Sequence, residues 1–284
     1  MHAPPEPPDR AAETGTNGGR EAVQRWRLVL RRDAQPGDQA QREQLVGWDA
    51  TLISSGLPVA GLDGPKAKPR FAMAAPLASR IPGEAELADL WLVERLPRWR
   101  VREALRDGLP VGYLLVDLFD VWLGESPLPG RVIASIFRAT LPPTVDPSRL
   151  AAAAEVLLAA ESLPRERRKG EGTVSYDLRP FLASLDAAPG PDGGAVLRMT
   201  LRHDPAKGVG RPEEALAALA QALGESSLDP ETLVRESLVL ADPPPPVPPA
   251  PRGVRRQPAA RSNADARLHP PRAGGRAGGR AGGR

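Results

Sequence analysis

The chain has 284 residues, and 41% of them are hydrophobic, which is enough to bury a core. It contains no cysteine, which excludes disulfides, zinc–thiolate sites and iron–sulfur ligation. The net charge is +3, but residues 242–284 hold nine arginines against two aspartates, so the rest of the chain is net acidic. We see neither a signal-peptide pattern nor an apolar run of membrane-spanning length, and therefore expect a cytoplasmic protein without membrane contact.

Both ends of the chain have the composition of disordered segments. Residues 1–22 are polar, with proline and glycine pairs and no periodicity. Residues 243–251 are nearly continuous proline, typical of a stiff polyproline II spacer. Residues 272–284 repeat Arg-Ala-Gly-Gly and are too poor in apolar groups to offset the entropy of ordering. We predict disordered segments at 1–22 and 242–284.

Residues 23–130 show alternating strand and helix patterns. In residues 25–31 (RWRLVLR), Trp26, Leu28 and Leu30 share one face and three arginines share the other, which indicates a half-buried strand. Apolar spacing then predicts a helix from about 39, strands at 70–77 and 87–93, a short helix at 98–107 and a strongly apolar strand at 113–122.

Residues 131–241 repeat this order of elements. Strands are predicted at 136–141, 173–178, 195–203 and 233–240, and helices begin near Asp146-Pro147 and Arg211-Pro212. Two passes through β-α-β-β-α-β predict an α+β fold of two tandem ferredoxin-like (βαββαβ) units, each an antiparallel sheet with helices on one face. The predicted units are 23–130 and 131–241.

Few residues in the central region suit catalysis or metal binding. His203 is the only histidine between the two flanks, and its place before Asp204-Pro205 favours a turn residue over a catalyst. Asp117 and Asp120 are three apart on one strand and point to opposite faces. The loop Lys207–Arg211 precedes a helix but lacks a phosphate-binding motif, so a plain turn is the simpler interpretation. We predict no catalytic, cofactor-binding or metal-binding residues.

Three groups of basic residues are candidate contacts for anions or nucleic acid. Two could together form a phosphate-binding patch, although solvated surface is the simpler interpretation; the third resembles Arg/Gly segments that bind RNA weakly. They are a loop with Lys66, Lys68 and Arg70, a run with Arg165, Arg167, Arg168 and Lys169, and the tail with Arg272, Arg276, Arg280 and Arg284.

An ordered set of short runs resembles a known bacterial family. The runs are the strand at 26–32, KPRFAMAAPL at 68–77, EAELAD at 84–89, LPVG at 109–112, DLRP at 177–180, RPEEAL at 211–216 and the strand at 235–240. Together they resemble the radical-SAM-associated (radical-SAM-linked) family of unknown function. Members of that family carry histidine-containing runs where this chain has residues 38–41 and 62–70, so both histidines are absent here.

The resemblance implies a non-catalytic accessory protein that docks a radical SAM enzyme or its RNA or protein substrate. A radical SAM cluster needs cysteine ligands, so a cysteine-free chain cannot house it. One alternative is an RNA-binding module that uses the Arg/Gly tail and basic loops. Another is an RNA-processing enzyme, which rests only on fold analogy. We expect no cofactor.

Overall fold

The structure is a computed structural model that describes residues 20–35, 41–63, 67–106, 108–169, 172–190 and 192–242. The helices are α1 (Gln41–Ser54), α2 (Arg98–Arg106), α3 (Pro147–Ala159) and α4 (Pro212–Leu223). The strands are β1 (Gln24–Arg32), β2 (Phe71–Met73), β3 (Gly83–Leu92), β4 (Tyr113–Val121), β5 (Val132–Leu141), β6 (Pro164–Lys169), β7 (Gly172–Asp177), β8 (Leu182–Pro189), β9 (Ala195–Asp204), β10 (Gly208–Val209) and β11 (Thr232–Leu240). None of these helices is both long and apolar enough to span a membrane.

Within the described residues nine strands form one large sheet, so the predicted mixed α+β class is confirmed. The strands run in the order β10-β9-β5-β11-β3-β1-β4, with β2 also beside β3 and β8 also beside β9. We expected a separate antiparallel sheet in each half of the chain. Instead the sheet is continuous, because β11 pairs with β5 on one side and meets β3 on the other, in parallel, where Arg235 lies opposite Gly83.

The two halves of the sheet have the same strand order. The first half reads β4-β1-β3-β2 and the second reads β11-β5-β9-β8. The strand predicted at 173–178 is present as β7, but its expected place in the main sheet is wrong, since within the described residues it pairs only with β6 in a separate two-stranded sheet. Its expected place beside β9 is taken by β8, where a register shift between Leu182 and Ser184 breaks the alternation that sequence patterns detect.

All four helices pack on one side of the sheet. Trp48 of α1 and Val101 of α2 share a core with Trp26, Leu28 and Leu30 of β1. Helices α3 and α4 form a second core with β5, β8 and β9, around Phe137 and Leu197. Both pairs of helices lie on the same side of the sheet. Glu86 shares the side of Leu30, which it lies opposite, and Arg235 shares the side of Phe137, which it lies opposite. Because Glu86 and Arg235 contact each other, these two sides are the same.

Two of the three arginines on the polar face of β1, Arg25 and Arg27, are buried, contrary to the sequence prediction, and Arg31 is exposed. Arg25 and Arg27 are 1% and 4% exposed, and both donate hydrogen bonds to the carboxylate of Asp89 on β3, which is fully buried. Arg25 Nε lies 3.0 Å from Asp89 Oδ2, and Arg27 Nε lies 2.9 Å from Oδ1. Buried charges persist when they are paired and hydrogen-bonded, and this carboxylate serves two guanidinium groups.

The segment that joins the two halves, residues 122–131, covers this ion cluster. The carbonyl oxygen of Glu125 accepts a 2.7 Å hydrogen bond from Arg25, and its carboxylate pairs with Arg27 at 2.9 Å and with Arg131. Leu128 is fully buried beside Val132, the first residue of β5. The joining segment is therefore part of the packed structure of the first half.

We expect Asp89→Asn to lower the free energy of unfolding by about 3–5 kcal/mol, since it leaves Arg25 buried without a carboxylate partner and Arg27 with only the carboxylate of Glu125. Urea unfolding followed by circular dichroism measures this change. Asp186→Asn is the matched control, because Asp186 is exposed, and it should change stability by less than about 0.5 kcal/mol. Equal stability of the two variants would contradict a structural role for the cluster.

Candidate functional site

A cleft of about 730 Å³ lies on the helical side, where the two halves of the sheet meet. Its walls come from the loop before β3, from β5 and β11, and from the turn that enters α4. The lining residues are Pro76, Leu77, Ala78, Arg80, Ile81, Ser135, Phe137, Gly208, Val209, Gly210, Arg211, Pro212, Glu213, Glu214 and Arg235. Clefts between structural halves are common places for ligands, which makes this cleft a candidate site.

One residue that lines the cleft, Ser135 on β5, is hydrogen-bonded to His203 on β9. The Ser135 hydroxyl lies 2.9 Å from His203 Nε2. Burial, followed by the positive charge of Arg235, lowers the pKa of His203 to about 4. The imidazole is therefore neutral at neutral pH. Ser135 is 1% exposed and sits within the sheet, so the pair serves as an internal polar contact.

Arg235 lies beside this pair, and its hydrogen-bonding capacity is used within the protein. Its Nε is 2.8 Å from Glu86 Oε1, and its terminal nitrogens reach Glu86 Oε2 and the carbonyl oxygens of Pro76 and Ala75 at 3.0 and 3.2 Å. Gly83 makes room for the carboxylate, because a Cβ there would lie 2.5 Å from Glu86 Oε1. Arg235 and Glu86 therefore join the two halves of the sheet.

The glycine loop before α4 is a hairpin turn, in agreement with the simpler sequence interpretation. Asp204 accepts hydrogen bonds from the backbone N–H groups of Ala206 and Lys207 at 2.8 and 2.9 Å. These bonds lower the pKa of Asp204. Gly210 is needed for packing, since a Cβ there would come within 3.1 Å of the Cβ atoms of Leu201 and Phe181. Across the described ranges, no group of three or more His, Asp or Glu residues could hold a metal ion.

Among the residues that the structure describes, the basic residues Arg70 and Arg165 contact different elements. Lys68 and Arg70 are exposed, and the Arg70 guanidinium stacks 4.7 Å from the ring centre of Trp91, on the side of the sheet away from the helices. Arg165 instead donates a 2.6 Å hydrogen bond to Gln221 of α4. Arg167, Arg168 and Lys169 lie in β6, with their side chains outside the description. Lys66 and the tail residues Arg272, Arg276, Arg280 and Arg284 lie outside the described residues.

Asp177 and Arg179 both contact backbone groups, and no ion pair between them is found. Asp177 accepts hydrogen bonds from the N–H groups of Leu163 and Arg179 at 2.7 and 2.9 Å. Arg179 donates to the carbonyl oxygens of Leu158, Ala160 and Leu182. These residues fix the connection between the β6–β7 hairpin and β8, so their role is structural.

A second candidate surface is the outer edge of β4, the last strand of the sheet. Along the described chain no strand pairs with this side of β4. Several large apolar side chains are exposed here or nearby on α2. Leu114 is 55% exposed, Trp99 62% and Trp122 76%, and Val116 and Phe119 are also exposed. We call these five residues, with the backbone edge that no described strand pairs, the β4 edge surface. Side chains already hold part of this edge, since Asp117 accepts from the Leu118 N–H at 2.8 Å and Arg102 donates to the Val116 carbonyl at 3.4 Å.

Basic residues of α2 flank the β4 edge surface. Arg98, Arg102 and Arg106 recur every four residues and therefore share one face of the helix. The Asp117 carboxylate of β4 pairs with Arg98 and, at 3.0 Å, with Arg102, which places this face beside the edge. The hydrogen bond from the Leu118 N–H, together with the two arginines, lowers the pKa of Asp117. Sequence analysis missed this surface because edge position depends on pairing, which the local pattern does not encode.

The central part of this chain matches a known protein family. Residues 47–210 match the model of a family described as uncharacterised proteins conserved in bacteria, DUF2344, which is more than half of the sequence. The chain belongs to this bacterial family. The family match includes β3 and β4, hence Asp89 and the whole β4 strand. The unknown-function bacterial family expected from the short sequence runs is therefore confirmed at this level.

The fold was also compared with known proteins and solved structures. One chain in the crystal structure of a Cbf5-Nop10-Gar1 complex is similar to 74% of this family member, with 8% sequence identity and a TM-score of 0.40. The similarity spans about half of that chain, 49%. No curated protein matches the sequence.

We expect His203→Gln to reduce the loss of stability on acidification. Because the pKa of His203 is about 4 in the folded protein and near 6.5 when unfolded, the unfolded chain binds more protons between these values. This histidine therefore makes stability fall as pH drops from 6.5 towards 4. Melting temperatures from pH 7.5 to pH 4 should fall less steeply for His203→Gln than for the wild-type protein. Parallel curves would show that His203 does not contribute.

Proposed function

We propose that this protein is a non-catalytic accessory protein that docks a partner protein through the β4 edge surface. The observation that carries the proposal is the combination of an unpaired strand edge with exposed Leu114, Phe119 and Trp122 among the described residues. Unpaired edges offer backbone donors and acceptors to another chain, and soluble proteins normally protect them with lysine, proline or a covering segment. The sequence of β4, YLLVDLFDV, has neither lysine nor proline.

A radical SAM enzyme, or the RNA or protein substrate of such an enzyme, is the partner class that we propose. The support is the resemblance of the short sequence runs to the radical-SAM-associated family. It is consistent with the composition, because the chain has no cysteine to ligate an iron–sulfur cluster. The cluster would have to belong to another chain, which the accessory protein contacts.

We also propose that residues 23–130 and 131–241 are two tandem ferredoxin-like units. The support is the shared strand order, fourth-first-third-second, in the two halves of the sheet. In this view the β6–β7 hairpin is an insertion in the second unit, and β3 and β11 fuse the two sheets. The predicted flanks, 1–22 and 242–284, lie largely outside the described residues.

Co-purification tests the docking proposal. Tagged wild-type protein, expressed in its native cell, should enrich a radical SAM enzyme over an unrelated bait. Leu114→Glu should reduce that enrichment at least about tenfold, because it places a charge on the apolar edge. Val156→Glu is the matched control, since Val156 is 63% exposed on α3, far along the chain from β4, and should retain the partner.

The outcomes separate the alternatives. No enrichment of a radical SAM enzyme by the wild-type protein would overturn the proposed partner. Equal enrichment by Leu114→Glu would show that the partner binds elsewhere. Loss of enrichment on ribonuclease treatment, with Leu114→Glu unaffected, would favour the RNA-binding alternative, whose tail arginines lie outside the described residues.

A further inference from the structure

We propose that the outer edge of β4 binds an extended segment of a partner protein in which acidic and apolar side chains alternate. This inference rests on the proposed docking function and specifies the chemistry of what is docked. It follows from the different surfaces on the two sides of β4, arginines of α2 on one side and apolar side chains on the other.

The backbone of β4 supplies the recognition of an extended segment. The strand has nine residues, Tyr113–Val121, and only its inner side is paired, with β1, within the described chain. A peptide added at the outer side would lie about 4.8 Å beyond β4 and form main-chain hydrogen bonds with its open backbone groups. In the middle of the strand it would have to displace Asp117 from the Leu118 N–H and Arg102 from the Val116 carbonyl. Its side chains would then alternate between the helical side of the sheet and the opposite side.

The helical side of the added segment would meet the arginines of α2. Arg98 and Arg102 share one carboxylate, that of Asp117, so this group keeps an excess of positive charge. Arg106 is exposed, and no ion pair involving it is found among the described residues. Side chains that point to this side are therefore expected to be acidic, since carboxylates form bidentate, charge-assisted hydrogen bonds with guanidinium groups.

The opposite side of the added segment would meet apolar side chains. Leu114 lies opposite Arg31, and Phe119 lies opposite Arg27, so both are on the side of the sheet away from the helices. Both are exposed, at 55% and 44%. Apolar residues at alternate positions of the partner would cover them, and cross-strand pairs of aromatic and aliphatic side chains stabilise strand pairing.

A second copy of the chain is a poorer occupant. Antiparallel pairing of two β4 strands would bring the α2 arginines of one copy against those of the other, and it would also bring Asp117 and Asp120 of both copies together. Like charges placed across a strand pair are destabilising. A nucleic acid could use the arginines, but it would not pair with the backbone edge of β4 as an added strand would.

Fluorescence anisotropy with synthetic peptides tests the inference. A labelled nine-residue peptide that alternates glutamate with valine or isoleucine should bind the full-length protein at least about tenfold more tightly than a peptide of the same composition with its glutamates in one block. Binding should weaken as salt rises from 50 to 500 mM, because part of it is electrostatic. Equal binding of the two peptides, or binding to neither, would overturn the proposal.

Variants locate the site. Leu114→Glu and Arg106→Glu should each weaken binding of the alternating peptide at least about fivefold, and Arg211→Glu, an exposed arginine in the cleft, should leave it unchanged. Asp117→Asn should tighten binding, since it removes the carboxylate that competes for Arg98 and Arg102. Circular dichroism melting confirms that each variant is folded, and unchanged affinity for folded Leu114→Glu and Arg106→Glu would overturn the site.

Two further arms identify other occupants. If the protein forms concentration-dependent dimers and Leu114→Glu abolishes them, the occupant of the β4 edge is a second copy of the chain and not a partner segment. If a labelled single-stranded oligonucleotide binds more tightly than the alternating peptide, and Arg106→Glu abolishes that binding, the occupant is a nucleic acid. If the alternating peptide does not bind but Leu114→Glu still loses the co-purified partner, only the alternating pattern is overturned. If Leu114→Glu retains the co-purified partner, docking at β4 is overturned.

Discussion

The buried carboxylate of Asp89 holds the first half of the structure together. It neutralises Arg25 and Arg27, two arginines on one face of β1, and this face is then covered by the segment that leads to β5. Without this carboxylate, Arg25 would be buried with only backbone carbonyl groups as partners, and Arg27 would keep only the carboxylate of Glu125. Removing one partner of a buried ion pair costs about 3–5 kcal/mol, a large part of a domain stability of about 5–15 kcal/mol. The pairing of β1 with β3, the path of residues 122–131 and the start of β5 all depend on this one group.

β3 carries a second buried carboxylate on its other face. Asp89 points away from the helices, whereas Glu86 points towards them and binds Arg235 of β11. The two ion pairs therefore connect one strand to both halves of the sheet. The parallel contact between β3 and β11 is short, with one registered pair, and the Glu86–Arg235 pair reinforces it. The nearby cleft owes its polar floor to these structural contacts.

Sequence patterns predicted most elements but not how they are covered or paired. The alternation in β1 places Leu28 in the core correctly, but it does not show that Arg25 and Arg27 are buried, because their partner, Asp89, is distant in sequence. β8 was missed because a register shift interrupts its periodicity. The β4 strand itself was predicted, but its edge position depends on the order of pairing. The basic residues Arg70 and Arg165, grouped by charge alone, contact different elements.

The long sequence separations in the Asp89 cluster also bear on how the chain folds during synthesis. Asp89 lies 64 residues after Arg25 in the sequence. Glu125, whose carbonyl oxygen also accepts a hydrogen bond from Arg25, lies 100 residues after Arg25. While the ribosome is making the intervening residues, Arg25 and Arg27 are better hydrated than buried, so β1 gains little from early collapse. The first half would therefore become a stable unit only after residue 131 has left the exit tunnel, when synthesis of the second half has already begun.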